Sequence, residues 1–134
     1  MNDCIFCKIV SGQIPVSKIY EDDEVIAFLD IRPINDGHTL VIPKKHVPDF
    51  QNLDEDLYLS VMRVAKKIAA VVDEKLKPKR VGLMIAGWDV PHTHVHVVPM
   101  HDYHDITSKR ILDNTHATLS EQDSLRLTEL LKIN

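Results

Sequence analysis

Residues 92–98 read His92-Thr93-His94-Val95-His96-Val97-Val98, and these seven positions decide how the chain is folded. A strand sends successive side chains to opposite faces. On that reading His92, His94 and His96 share one face at about 6.6–7 Å spacing, and Thr93, Val95 and Val97 fall on the other, where helices can cover them. Three imidazoles in a row make poor core material, because each buried ring nitrogen needs a partner. The spacing leaves three uses open: metal ligation, phosphate chemistry, or a polar strand face without chemistry. Phosphorus suits histidine because neutral imidazole is a good attacking nitrogen near neutral pH and the resulting P–N bond is labile to water. A neighbouring ring can then donate to a phosphoryl oxygen as charge shifts onto it.

Working outward, Gly87-Trp88-Asp89-Val90-Pro91 joins this strand, read as 93–98, to another at 81–86. Upstream, 52–76 is the clearest helix: Leu57, Val61, Val64, Ala65, Ile68, Val72 and Leu76 recur at three-to-four spacing, and Pro78 marks its stop. Strands are expected at 17–20, 24–30 and 38–43, with turn chemistry at 32–37. A short apolar turn at 4–10 precedes them. A polar loop follows from His101, and a last amphipathic helix opens at Ser120 and carries Leu125, Leu127, Leu130 and Leu131. Strands, then a helix, then strands point to an α+β fold with an antiparallel sheet.

The 134 residues form one domain, 1–134, without repeats or linkers. Sixteen Lys+Arg against twenty Asp+Glu give a net charge of −4, which argues against a broad basic track for a nucleic-acid polymer. A small anionic ligand needs only local donors. No apolar run approaches the roughly 20 residues of a membrane span. The first residues lack the pattern of a signal peptide, and two cysteines are no disulfide framework, so a cytoplasmic setting is expected. Eight histidines, five of them between positions 92 and 104, are the unusual feature of the composition.

At this point the sequence resembles a known family. His92 to Val98 is similar to the histidine triad pattern, His-φ-His-φ-His-φ-φ, of the HIT nucleotide hydrolases and transferases. Cys4-Ile5-Phe6-Cys7-Lys8-Ile9-Val10 resembles the N-terminal box of that family. Ala27-Phe28-Leu29-Asp30-Ile31 and Gly37-His38-Thr39-Leu40-Val41-Ile42-Pro43-Lys44-Lys45-His46 resemble its central strands. The resemblance covers about residues 4–98. It implies a HIT-like fold, with about five antiparallel strands and two main helices, in a homodimer with one purine-nucleotide pocket per subunit and no organic cofactor. On it, His94 is the nucleophile toward the α-phosphorus, His96 binds the phosphate and assists the leaving group, and His92 helps orient the site. Asp30 accepts from the ribose hydroxyls. Ile5, Phe6, Ile9, Phe28 and Ile31 form the base pocket, although apolar residues there also suit plain core packing.

The chain departs from the family pattern ahead of the triad. Residues 81–91 contain no Asn, and Trp88-Asp89 stands where a Gln-Ser pair of phosphate donors is usual. An ionised carboxylate repels phosphate, so Asp89 is expected either to point away or to face the leaving group and favour a cationic amine there. Cys4-x-x-Cys7 alone is half a zinc site. The branch of the family with this box implies a structural zinc ion held by Cys4, Cys7, His46 and His92, leaving His94 and His96 as the working pair. His101, Tyr103 and His104 read either as bordering the pocket or as a polar loop. Two rival readings stand beside the covalent hydrolase: a metal-dependent hydrolase ligated by the histidine strand, and a non-catalytic nucleotide-sensing dimer.

Overall fold

The carboxylate of Asp22 accepts the backbone N–H groups of Glu24 and Val25, both at 2.8 Å. It thereby folds β1 (Lys18–Glu21) back on β2 (Val25–Leu29). This opens a sheet that the computed structural model describes for residues 3–108, with a further helix in 118–132. His116 and positions 109–117 of the expected polar loop lie outside the described residues. The remaining strands are β3 (Thr39–Pro43), β4 (Arg80–Met84) and β5 (Val95–Met100). All pairings are antiparallel, and the five-stranded sheet has the order β1-β2-β3-β5-β4.

Among the described residues three α-helices accompany the sheet: α1 (Ile5–Val10), α2 (Glu55–Leu76) and α3 (Glu121–Leu131). Glu55 and Asp56 sit in the first turn of α2 and Lys75 in its last, each complementing the helix end it occupies. Lys77 caps the helix with φ 51° and Pro78 follows, so the helix cannot continue. The helix start expected at residue 52 falls later: Phe50–Asn52 form a 3-10 turn and Leu53 is extended. The apolar turn expected at 4–10 is a true helix, capped by the Cys4 sulfur accepting from the N–H of Cys7.

Two apolar layers bury the two sides of the sheet. On one, Val61, Val64, Ala65, Ile68 and Val72 of α2 pack on Val25, Ala27, Val41, Val95 and Val97. On the other, Phe6 and Ile9 of α1 pack on Ile26, Phe28, Leu40 and Ile42. Side chains from β2 and β3 are buried on both faces, which is why these strands read as continuous apolar runs. Each large side chain so buried contributes about 1.5–3 kcal/mol. Helix α3 is different. Ser120 caps it by accepting from Asp123 N, but no residue of α3 is buried, and Leu125, Leu130 and Leu131 are about two-thirds exposed, at 68%, 70% and 68%.

The strand carrying the histidines begins later than its alternation suggests. β5 starts at Val95, and β4 occupies Arg80–Met84. Residues 92–94 form a buried bend instead. Thr93 N and Oγ1 both donate to the carbonyl of Val47, at 2.8 and 2.7 Å, and His92 N donates to Val90 O at 2.8 Å. The backbone here bonds to the loop after β3, so the two-residue alternation that would align all three rings does not operate at His92.

Candidate functional site

The bend at 92–94 sends its histidines to two neighbouring places. His92 is fully buried, and its Nε2 lies 2.8 Å from the carbonyl oxygen of Pro43. A carbonyl only accepts, so Nε2 carries the proton and Nδ1 keeps its lone pair. That lone pair faces Cys4 Sγ at 3.5 Å, Cys7 Sγ at 3.6 Å and His46 Nδ1 at 3.3 Å, with Cys7 Sγ 3.2 Å from His46 Nδ1. All four donor atoms lie within 4.8 Å of one another. A tetrahedral ion with bonds of about 2.3 Å to sulfur and 2.0–2.1 Å to nitrogen separates S from N by about 3.6 Å and N from N by about 3.3 Å. The cluster has that shape before any ion is considered. Burial, followed by hydrogen bonding and charge from Cys4, pushes the Cys7 thiol up, so that thiol calls for a cation before it ionises.

His94 turns the other way. Its Nδ1 donates to the carbonyl of His92 at 2.7 Å, which leaves the lone pair on Nε2. Among the described residues Nε2 has no partner, yet no fully buried side-chain nitrogen or oxygen is left unpartnered. Nε2 therefore keeps some contact with solvent, although the residue is only 5% exposed. The ring of Phe6 packs edge-on against His94 at 5.0 Å and against His92 at 5.8 Å, so α1 forms a shared floor for both.

His96 is governed by a residue to which sequence reasoning gave no role. The backbone N–H of Ile34 donates to His38 Nδ1 at 3.0 Å, which places the His38 proton on Nε2. That proton is donated to His96 Nδ1 at 2.9 Å, leaving the His96 N–H at Nε2. The rings of His94 and His96 are 4.9 Å apart, so a nitrogen lone pair and an N–H donor are presented side by side. Burial, then the neighbouring His94 and His38, pushes His96 down to about 4 against the opposing pull of Asp30 and Asp89. Burial also lowers His38 and His92, so all three rings are neutral at pH 7, as the hydrogen-bond chain requires. Asp30 Oδ1 accepts from Arg32 N at 2.8 Å, and Oδ2 stands 3.6 Å from His38 Nε2.

The other residues singled out from the sequence fall into three groups. Phe6, Ile9 and Phe28 are buried in the core layer beneath the histidines, whereas Ile5 is half-exposed and Ile31 is 90% exposed. Asp89 is exposed beside Trp88, which is 92% exposed, and its charge reaches His96. His101, Tyr103 and His104 lie beyond the far end of β5, roughly 20 Å along the strand from His94, so they do not border the histidine face. The three imidazoles of residues 92–96 do not converge on one point; the donor clusters are Cys4, Cys7, His46 and His92, and separately Asp30, His38 and His96. Among the described residues no helix is long and apolar enough to cross a membrane.

Comparison with known proteins matches this geometry to a family. The profile of the HIT domain fits residues 11–103. The chain is 45% identical over 106 residues to an uncharacterized HIT-like protein of Borreliella burgdorferi, spanning 74% of this chain and 76% of the relative. It is 38% identical over 108 residues to an adenosine 5'-monophosphoramidase of Candida albicans, spanning 74% and 71%. A Zn-bound histidine triad family protein from Mycobacterium smegmatis superposes with a TM-score of 0.70 at 37% identity, over 79% of this chain and 81% of that one.

The lowered histidines make stability depend on pH with a defined sign. Unfolded, these rings take up a proton near 6.5; folded, His38, His92 and His96 do so only at lower pH. Below that value the unfolded chain binds more protons, so stability falls as pH falls, by up to about 1.4 kcal/mol per pH unit for each ring. Urea midpoints are expected to drop between pH 7.5 and 5, with a shallower drop in His38→Gln. A flat profile over that range contradicts the assignment.

Proposed function

Because this chain belongs to the HIT domain family, we propose that it is a nucleotide-binding hydrolase working through a covalent His94–nucleotidyl intermediate. It cleaves the bond to the α-phosphate of a purine nucleoside phosphoramidate or related conjugate. The observation that carries this reading is the tautomer of His94: with Nδ1–H held by the His92 carbonyl, the attacking lone pair is fixed on the solvent-facing Nε2. Nε2 attacks the α-phosphorus, the bond to the leaving amine breaks, and the amine departs with its electron pair and a proton taken up from solvent, which the attacking water gives back in the second step. The Nε2–H of His96, aligned by His38, hydrogen-bonds the group in transit. Water then attacks the P–N bond, releasing the mononucleotide and returning His94 to its neutral form. The adenosine 5'-monophosphoramidase relative supports the substrate class. In this reading Asp30 and the exposed Ile5 and Ile31 take the nucleoside over the floor made by Phe6, Ile9 and Phe28.

The second part of the proposal is a zinc ion held by Cys4, Cys7, His46 and His92. The donor separations support it, as does the Zn-bound relative. A bound ion supplies structural cross-linking here and no reaction step. It ties α1 to the bend, holding Phe6 against His94, while the His92 Nε2–H bond to Pro43 orients the ligating ring. The third part is a homodimer. β4 is an edge strand with Leu83 43% exposed, and its unpaired backbone groups offer a second copy a place to extend the sheet. Free thiols at Cys4 and Cys7 suit a reducing compartment.

Intact mass after brief exposure to adenosine phosphoramidate tests the chemistry. The wild type should gain one nucleotidyl group that His94→Ala lacks, and turnover should fall by at least about 10³-fold in that variant. A wild type with neither turnover nor adduct rejects the covalent reading in favour of a sensing dimer. Turnover that forms no adduct, survives His94→Ala, and is abolished by a chelator and restored by metal rejects it in favour of a metal-dependent hydrolase. Metal analysis should find one zinc per chain, lost in Cys4→Ser; metal-free native protein rejects the second part. The charge of Asp89 reaching His96 favours a cationic amine leaving group. Asp89→Asn should therefore lower kcat/KM roughly fivefold for an AMP–lysine conjugate relative to a neutral amine conjugate. Equal preference in both proteins removes Asp89 from substrate selection.

A further inference from the structure

Residues 75–80 read Lys75-Leu76-Lys77-Pro78-Lys79-Arg80, four cations in six positions of a chain with net charge −4. Two of them have an explanation within the helix: Lys75 stands in the last turn of α2 and Lys77 caps it, where cations offset the negative helix end. Lys75 also pairs with Glu74 at 3.3 Å. Lys79 and Arg80 lie beyond the helix, at the start of β4, where the helix end no longer accounts for them. Among the described residues neither makes an ion pair. They form one side of a cavity of about 690 Å³ whose other side is Met100, His101, Asp102, Tyr103 and His104.

We infer that this cavity is a second anion site, built to take a phosphate ester that carries a flat ring, and separate from the histidine face. The volume falls within the range of small-molecule sites, about 300–1,000 Å³. Its two sides are joined, because Lys79 N donates to Met100 O at 3.0 Å. The side opposite the cations is rigid. Asp105 Oδ2 accepts from His101 N, Asp102 N and Asn35 Nδ2 at 2.8, 3.0 and 2.9 Å, and Asp102 Oδ1 accepts from His104 N at 2.8 Å. Asn35 bonds Pro99 O as well, at 2.8 Å, which anchors the turn to β5. Asp105 is thus engaged with backbone and amide N–H groups, and Asp102, which lines the cavity, has one oxygen on His104 N, so a phosphate belongs on the Lys79 and Arg80 side, away from that carboxylate. Arg80 Nη1 donates to Lys79 O at 2.7 Å, which steadies the guanidinium while its other N–H groups stay open to a phosphate.

Tyr103 supplies the preference for a ring. It is 56% exposed and sits in a turn fixed by the hydrogen bonds just named, so its face is available for stacking, worth about 1–3 kcal/mol for a base. A phosphate and a ring on one ligand describe a mononucleotide or a similar phosphorylated heterocycle. A bare phosphate uses the cations alone, and an uncharged nucleoside uses the ring alone.

Three probes separate these contributions: AMP, inorganic pyrophosphate and adenosine, each titrated while the ring resonances of Tyr103 and His104 are followed by NMR. AMP should shift both along one saturable curve. Lys79→Gln/Arg80→Gln should weaken that curve at least about tenfold, with hydrolysis of adenosine phosphoramidate unchanged, since both residues are exposed and outside the histidine face. Tyr103→Leu should weaken AMP while leaving pyrophosphate, followed at His104, unaltered. His94→Ala should leave the cavity curve intact, so failure of the catalytic reading is distinguished from failure of this one. No shift at about 10 mM AMP, a curve unaffected by the double substitution, or adenosine binding as tightly as AMP overturns the inference.

Discussion

The hydrogen bond from His92 Nε2 to the carbonyl of Pro43 ties together two parts of the chain that are far apart in sequence. A carbonyl has no proton to give, so the bond fixes the tautomer of a fully buried ring and decides which way its lone pair points. From that follow the approach of Cys4 and Cys7, the seating of α1 on the sheet, and the packing of Phe6 beneath both His92 and His94. The neighbouring bonds from Thr93 to Val47 serve the same end, holding the bend so that its next residue, His94, is turned outward. A buried imidazole without such an acceptor would be a costly defect in the core.

The sheet separates stability from chemistry. Its α2 side is a dry layer of valines, alanine and isoleucine, and carries none of the donors of the site. Its α1 side is thinner and mixed: Ile26, Phe28, Leu40 and Ile42 lie beside histidines and thiols. Such a division lets the polar side hold neutral, hydrogen-bonded rings in partial burial, because the opposite layer supplies the hydrophobic free energy that the polar side gives up.

Helix α2 and the central strands were legible in the sequence because their apolar periodicity is a local property that burial then uses directly. The limits of β5 were not, because the partner of Thr93 is a loop carbonyl 46 residues away, and no alternation rule contains that bond. The pairing of His38 with His96 was equally hidden: it depends on the register that sets Leu40 opposite His96, while the sequence shows only a polar residue at the edge of an apolar strand. The leucines of α3 mark a helix correctly but not its burial, since an amphipathic pattern specifies a face and not what covers it. The resemblance grouped Cys4, Cys7, His46 and His92, which spacing alone could not, and the structure gathers their donor atoms at one place.

The chain from Ile34 through His38 to His96 has a direction. Its first donor is a backbone amide, which cannot accept a proton in return, so every N–H in the series points the same way and the series cannot run backwards. It behaves as a valve for hydrogen-bond polarity rather than as a wire for protons: it holds His96 in one tautomer without being able to refill it. A proton lost from His96 Nε2 can therefore be replaced only from the solvent side, and the buried end of the site is a fixed boundary rather than a reservoir.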